Sequence, residues 1–457
     1  MKELLADPIF LSLILGTGVI FILLAFQYAS RQGMTERLAI VLSLVLFIVM
    51  PYITIKPFVW LHPSDFKLHN LSLNSALLKI GTYSLSVFIL KAWFRDFFYS
   101  FLALFTNPFL GILLTLVGFS VFWSDLPSFT LRASLTLISV STLAAHIARK
   151  YTWAQIVTLL RWSTGIIAGL SLIYSMAVPA VGVVGKGWRG VLSHPNPLGA
   201  LMSLNAVLWY VWAANHPKQR VPSVLMVLIS LLVMQNTNSA GAKVTLVVLF
   251  GALLMLRFLK RLSFQWAYAI IVIFMAISIG TTIIVTENLE YIVVDVLEKD
   301  MTLTGRVPLW TRTIDKVMQD RPVLGYGFYG FWQDWRGEDN PAYEVAADGY
   351  GWVATHAHNG FIDLLADLGF VGLFLFIASF LLGIGLSIKY MSQTREPESV
   401  FHPIIMLLLL IVNNTQSELL GIHHIWFYYV LSTVRLAIDT LGQKSSSGGQ
   451  IHNVSSG

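Results

Sequence analysis

Gly360-Phe-Ile-Asp-Leu-Leu-Ala-Asp-Leu-Gly-Phe-Val-Gly-Leu-Phe-Leu-Phe-Ile-Ala-Ser-Phe-Leu-Leu-Gly-Ile-Gly-Leu-Ser-Ile388 decides the fold class. After Asp363 and Asp367 in its first turns it holds no charge. A bilayer crossing takes roughly 20 apolar residues of helix. Runs of this kind recur at about 9–28, 37–56, 77–94, 103–124, 130–148, 154–177, 197–214, 222–237, 241–257 and 266–285. Residues 401–438 hold either one broken span or two short ones. Each run must be helical, because hydrocarbon offers no partner to free backbone N–H and C=O groups. The expected fold is an all-α polytopic membrane protein of about 12–13 transmembrane helices. One large external loop separates the helices at about 266–285 and 360–388.

Composition agrees. The 457 residues are 56% hydrophobic and 12% charged, with mean hydropathy +0.70. A soluble domain carries about 25% charged residues, so a water-soluble globule is excluded. The absence of cysteine excludes disulfides, thiolate-bound zinc and thiol catalysis. No small-residue cleavage site follows the first apolar run, so no cleavable signal peptide is evident. The net charge of +6 reports topology rather than nucleic-acid binding.

Lysines and arginines collect on one side: Arg31, Arg37, Lys91, Arg95, Arg149, Lys150, Lys218, Arg220, Arg257, Lys260, Arg261, Lys389 and Arg395. The positive-inside rule puts that side in the cytoplasm. The segment at about 286–358 then lies outside. It holds twelve of the 24 acids and six basic residues, a net of −6 against +12 elsewhere. A loop this long is uncommon without a purpose. The expected organisation is a single transmembrane domain over 1–440, including a large periplasmic loop at 286–358, and a disordered tail at 441–457. No internal repeat of the kind that pairs the halves of many transporters is visible.

Four constellations fall on the outer side. In Gly187-Trp-Arg-Gly-Val-Leu-Ser-His-Pro-Asn-Pro-Leu-Gly199, Asn196 suits an N-cap and Pro197 a first helical position. A helix N-terminus favours anions, and the Arg189 guanidinium suits phosphate oxygens; a snorkelling arginine is the alternative. In Leu303-Thr-Gly-Arg-Val-Pro-Leu-Trp310, Thr304 caps an expected helix over about 305–320 with an apolar stripe of Val307, Trp310, Ile314 and Val317. Arg306 in its first turn opposes the helix dipole, which makes sense beside an anion or paired with Asp295, Glu298 or Asp300. In Thr355-His-Ala-His-Asn-Gly-Phe-Ile-Asp363, Asn359 caps the following helix. His356 and His358 share a face in an extended approach. Two histidines without a third ligand make a weak zinc signal, whereas an imidazole suits a general base. Lys243 begins a further helix in Asn238-Ser-Ala-Gly-Ala-Lys243. The aromatics from Tyr326 to Trp335 suit stacking on sugar rings or an interfacial belt. Arg132 and Arg161 are placed near helix ends, so midplane charges of the kind that couple transport are scarce.

Together these motifs resemble the O-antigen ligase and polymerase family of bacterial envelope glycosyltransferases. The resemblance runs through Gly118-Phe-Ser-Val-Phe-Trp-Ser-Asp-Leu-Pro127, Arg189 to Asn196, Gly305-Arg306 to Trp310 with Pro322, Gly325 and Gly327, and His356-Ala-His-Asn359 followed by Asp367-Leu-Gly369. It implies a metal-independent, inverting glycosyltransferase of the bacterial inner membrane, with its catalytic loop on the periplasmic side. It implies no cofactor. The donor, an undecaprenyl-diphosphate-linked glycan, is a substrate, and the acceptor is another glycan or lipopolysaccharide core. Carried across, Arg189 and Arg306 hold the diphosphate and His358 is the base. Where many relatives have an arginine right after Asn238-Ser239, this chain has Ala240, so Lys243 is only a candidate phosphate contact. His356, Asn359, Trp310, Tyr326 and Trp332 are candidates for glycan contact. An exopolysaccharide or O-antigen polymerase is the expected activity. Ligation to lipopolysaccharide core is the first alternative, and transport of a small anion such as bicarbonate the second.

Overall fold

A computed structural model describes Val41, residues 94–192 and 194–259, a few positions between 262 and 273, and residues 306–346, 354–394, 396–414, 416–421 and 424–448. The spans expected at about 9–28, 37–56, 77–94 and 266–285 lie wholly or almost wholly outside them, as do Thr304 and the acids from Glu287 to Asp300.

The described chain is helical apart from one two-stranded hairpin. Helices α1 (Phe94–Ala103), α2 (Pro108–Phe119), α3 (Pro127–Lys150), α4 (Trp153–Ala177), α5 (Pro195–Asn215), α6 (Arg220–Asn236) and α7 (Ala240–Leu259) precede the large loop. The loop contains α8 (Arg306–Asp320), and α9 (Gly360–Gln393), α10 (Phe401–Asn413) and α11 (His424–Gly448) follow it. Among the described residues five helices are long and apolar enough to cross a membrane, or six if the bent α1–α2 pair is one span. The all-α polytopic reading holds.

Three expectations shift. The run read as one span at 103–124 is broken at Asn107, where α1 and α2 meet at 116°. Asn107 caps α2 through Leu110 N–H and donates to the Ser379 carbonyl on α9. Residues 401–438 form two helices, one of the two alternatives expected, but the second, α11, continues to Gly448, into the segment read as tail. Arg161 is not near a helix end: it lies eight residues into α4 and is buried.

Cross-contacts sort the helix ends into two faces. Trp153, which begins α4, packs on Tyr390 at the end of α9 and on Phe401 at the start of α10. Arg435 in the middle of α11 donates to the carbonyls of Ala148 and Tyr151, between α3 and α4. Arg149 reaches back to the Asp96 carbonyl in α1. This basic end therefore gathers Arg95, Arg149, Lys150, Lys218, Arg220 and Lys389. The opposite face gathers the starts of α3, α5, α7, α9 and α11 with the loops that precede them.

In lipid the apolar effect between helices is weak, so close packing and side-chain hydrogen bonds hold the bundle. A Cβ on Gly199 of α5 would lie 2.4 Å from the Ala242 Cβ of α7, and Ser203 donates to the Ala242 carbonyl at 3.1 Å. Helix α11 is the buried centre. Trp426, Phe427, Tyr428 and Tyr429 are fully enclosed. Trp426 donates to Ser141 on α3, Tyr429 meets Ser379 on α9, and His402 on α10 links Ser387 to Thr433.

The large loop is joined to the bundle at a break in α9. Gly369 has φ 62 and ψ −163, which interrupts the helix. The i→i+4 bonds lost there would have joined Phe370 N–H to Ala366 C=O and Val371 N–H to Asp367 C=O. The loop satisfies all four groups. Tyr326 N–H donates to Ala366 at 3.0 Å and Gly327 N–H to Asp367 at 2.8 Å, while Phe370 and Val371 donate to Pro322 at 2.9 Å and Val323 at 3.2 Å. The Asp367 carboxylate also takes Tyr329 N–H at 2.9 Å. Trp123 donates to Leu324 C=O and Thr130 to Phe328 C=O, tying the same strand to the start of α3. Arg321 pairs with Asp125 at 2.8 Å and covers the Tyr326 ring.

Helix α8 spans 306–320, as its sequence predicts, and buries Val317 of the expected stripe, but not Ile314. Leu309, Thr313 and Val317 face inward, and Ile314 is exposed. The Trp310 indole turns aside to donate to the Ala357 carbonyl, so the seat shifts by about one residue. At the helix end, Asp320 accepts from the Tyr326 hydroxyl at 2.6 Å and pairs with Lys316 at 3.2 Å. The tyrosine bond, then the lysine, hold this carboxyl below its usual range, and burial pushes the Tyr326 hydroxyl up so that it remains a donor.

Gly369→Ala places a Cβ 2.3 Å from the Val323 carbonyl oxygen in a left-handed backbone. It should cost about 2–3 kcal/mol, seen as a lower melting temperature and faster proteolysis between 321 and 331. A lowered Asp320 pKa contributes stability that is complete above the unfolded value of 3.8 and is lost as pH falls through the folded value. Asp320→Asn should flatten the fall in melting temperature between about pH 5 and pH 3.

Candidate functional site

Two clusters form on the face opposite the basic end. The first is built around Arg189. A single turn at Pro179–Gly182 and a hairpin pairing Val183–Val184 with Gly187–Trp188 follow α4. Arg189 and Gly190 N–H groups both donate to the Gly182 carbonyl, at 2.9 and 3.0 Å. Gly190 has φ 57, and a Cβ there would meet Ser171 on α4 at 2.3 Å. Arg189 is therefore presented from a strand pinned to the end of α4. Burial lowers its guanidinium pKa somewhat, but it remains a cation at neutral pH.

The hairpin also packs on the turn before α7. A Cβ on Gly187 would lie 2.5 Å from the Thr237 carbonyl oxygen. The Asn238 side chain, on a left-handed backbone with φ 54, donates to the Lys186 carbonyl. Lys243 lies exposed in the first turn of α7. Arg189 and Lys243 are thus on neighbouring segments. The cap of α5 differs from expectation: His194 is the N-cap, accepting from Asn196 N–H at 3.3 Å, and Pro195 takes the first helical position. Burial holds the His194 pKa down, which keeps it the neutral acceptor that this role needs.

The second cluster surrounds the two histidines. Asn359 caps α9, accepting from the N–H groups of Phe361 and Ile362. Gly360 has no room for a side chain, because a Cβ would lie 2.0 Å from the Asn413 Oδ1 at the end of α10. His358 has φ 53, a left-handed backbone uncommon for a side-chain-bearing residue and costly unless its surroundings enforce it. The enforcement is on both sides of Ala357. Its carbonyl accepts from Trp310 Nε1 at 2.7 Å, and its N–H donates to Asp363 Oδ1 at 2.9 Å. The same carboxylate oxygen takes Trp332 Nε1 at 2.6 Å. The His356 and His358 rings meet edge to face with centroids 3.9 Å apart. His356 Nδ1 and Asp363 Oδ2 are enclosed without hydrogen-bond partners, the Ser417 hydroxyl close by but outside hydrogen-bonding geometry.

The other expected site residues fall as follows. Arg306 begins α8 at the edge of the described chain. Trp310 and Trp332 are partly buried and fix the histidine turn through their N–H groups. Tyr326 and Asn359 are buried, and the Tyr326 hydroxyl and the Asn359 Oδ1 are used within the protein. Reading the sequence assigned Asp363 only a place in an N-terminal turn, and missed Glu418. Glu418 is buried in the turn between α10 and α11, near Tyr329. Its only sequence signal is an acid between two short apolar runs, 401–413 and 424–438. Among the described residues no group of three or more His, Asp or Glu is placed to hold a metal ion.

Comparison with known proteins follows the same lines. Residues 225–377 match the family model described as O-antigen ligase. That stretch runs from α6 through the large loop to the middle of α9, and so includes Lys243, Arg306, His356 and His358. The chain is also similar to the exopolysaccharide production protein ExoQ of Rhizobium meliloti (strain 1021), 23% identical over 298 residues. The matched part is 62% of this chain and 65% of that relative, so it spans just under two thirds of the relative's length. The chain is a multi-pass membrane protein whose residues 225–377 match the O-antigen ligase family.

Proposed function

We propose that this protein is a metal-independent, inverting glycosyltransferase. It transfers or polymerises a glycan from a polyprenyl-diphosphate donor, with undecaprenyl as the lipid, at the periplasmic face of the bacterial inner membrane. The observation that carries the proposal is the histidine turn. A strained His358, held by Trp310 and Asp363, lies on the same face as Arg189 and Lys243. The arrangement combines a proton acceptor with cations suited to a leaving diphosphate. The charge bias of the basic end supports a cytoplasmic location for it and an external one for the site.

The donor lipid lies against the helices with its diphosphate at the rim. His358 accepts the proton of an acceptor hydroxyl as that oxygen attacks the anomeric carbon. The bond from the anomeric carbon to the diphosphate oxygen breaks on the opposite side, the configuration inverts, and polyprenyl diphosphate leaves with both electrons of that bond. Arg189, Arg306 and Lys243 offset the charge that builds on it, and fixed cations of this kind lower barriers strongly. His356 and Trp332 line the acceptor approach, and Trp310, Tyr326 and Asn359 support it from within. The name of the relative, an exopolysaccharide production protein, favours a growing polysaccharide as acceptor over lipopolysaccharide core.

Purified protein, lipid-linked oligosaccharide and EDTA should yield free polyprenyl diphosphate and a ladder of products. His358→Ala should lower turnover about a hundredfold or more, and Arg306→Lys should lower it by a smaller factor because the bidentate fork is lost. Undiminished turnover in His358→Ala removes the base assignment. Release that needs lipopolysaccharide core would make the protein a ligase. Absence of release with either acceptor from a folded sample would turn the case to transport.

Trp310→Phe keeps the ring and removes the bond to Ala357. It should lower kcat about tenfold with little change in KM, since it loosens the base and not the donor grip. An equal rise in KM alone would place Trp310 in substrate binding instead.

A further inference from the structure

Arg161 on α4 stands apart from everything above. It lies about 24 Å of helix from the α4 end that carries the Arg189 loop. It is 2% exposed, and its Nε and Nη1 are enclosed without hydrogen-bond partners. The guanidinium rests on Trp212 at 3.7 Å and Trp209 at 4.5 Å, with Trp162 beside them. Trp209 Nε1 is likewise enclosed without a partner. Several N–H donors and a full positive charge thus converge with no acceptor.

Among the described residues no carboxylate pairs with them. The sequence has no Asp or Glu between Asp125 and Glu287, which covers α4, α5, α6 and α7 entirely. Glu396 and Glu398, in the turn that packs against α4, form no ion pair with Arg161 among the described residues; Glu396 accepts from Tyr390. A charged residue within a span without a counter-charge is costly. Cation–π contact recovers part of that cost, but it leaves the N–H groups bare.

The surroundings indicate the missing partner. Lys218 and Arg220 lie exposed in the α5–α6 turn at the same end. Helix α6 turns apolar side chains outward along its length, Leu225, Leu228 and Leu232 among them, as a lipid-facing helix does. An anion with acyl chains fits both. We propose that Arg161, Trp209 and Trp212 bind the phosphate of an anionic phospholipid from the leaflet at the basic end, with its chains along α6 and its headgroup beneath Lys218 and Arg220. The site is separate from the candidate active site and independent of the reaction proposed for it.

The test is the melting temperature of delipidated protein in neutral detergent, titrated with phosphatidylglycerol, with a diacylglycerol of the same chains, and with inorganic phosphate. Phosphatidylglycerol should raise it saturably and the other two should not. Arg161→Gln should raise the half-saturating lipid fraction about tenfold or more. If that variant does not fold, Trp209→Phe decides, because it keeps the ring and removes one donor; its half-saturating fraction should rise by a smaller factor. Equal shifts with diacylglycerol, no shift at all, or an unchanged titration in Trp209→Phe overturns the proposal. A shift produced by inorganic phosphate and lost in the variant overturns the lipid assignment in favour of a soluble anion.

Discussion

The structure depends on an exchange of backbone hydrogen bonds at Gly369. A helix in lipid cannot leave N–H and C=O groups bare, so a break in α9 is tolerable only if other groups take the freed positions. The segment from Pro322 to Gly327 takes them, with donors to Ala366 and Asp367 and acceptors for Phe370 and Val371. Two glycines make the approach possible. Gly369 and Gly325 are both left-handed and lie against the other strand's carbonyls. The join positions α8 over the start of α9, and α8 brings Trp310 to the carbonyl between the histidines.

The site is therefore assembled by contacts that are remote in sequence. Asp363 holds Ala357 N–H from the helix side, Trp310 holds its carbonyl from the loop, and Trp332 braces Asp363. Arg189 is held by a separate device, a hairpin seated on α4 and on the turn before α7. The base candidate and this phosphate-binding candidate thus rest on different supports. A substitution that loosens one cluster need not loosen the other.

Much of this was legible in the sequence. Long apolar runs are unambiguous in a bilayer, and the helix over 306–320 follows from its Pro and Gly boundaries. The pairing of Asn359 with the start of α9 also follows from local chemistry. What could not be read depended on tertiary partners. The break at Asn107 hides in an apolar run, because the Ser379 carbonyl that Asn107 serves lies 272 residues away. The buried stripe of α8 moved because Trp310 found a partner at Ala357. Arg161 looked like an end residue because an arginine in a span is expected to snorkel, and its tryptophan bed comes from α5. Glu418 carried only the signal of an acid between two short apolar runs, since the Tyr329 beside it comes from the large loop.

The exchange at Gly369 also bears on how the chain enters the bilayer. During synthesis the large loop precedes α9, and nothing requires it to be folded when α9 emerges. Without the loop, Phe370 and Val371 can bond to Ala366 and Asp367 in the ordinary helical way, since glycine adopts helical angles as readily as any others. The segment can thus partition into lipid as one unbroken helix with its backbone satisfied. It opens only when Pro322 to Gly327 arrives to replace the bonds it surrenders. Membrane insertion and docking of the loop are thereby separable steps, joined by a trade in which no polar group is stranded in hydrocarbon.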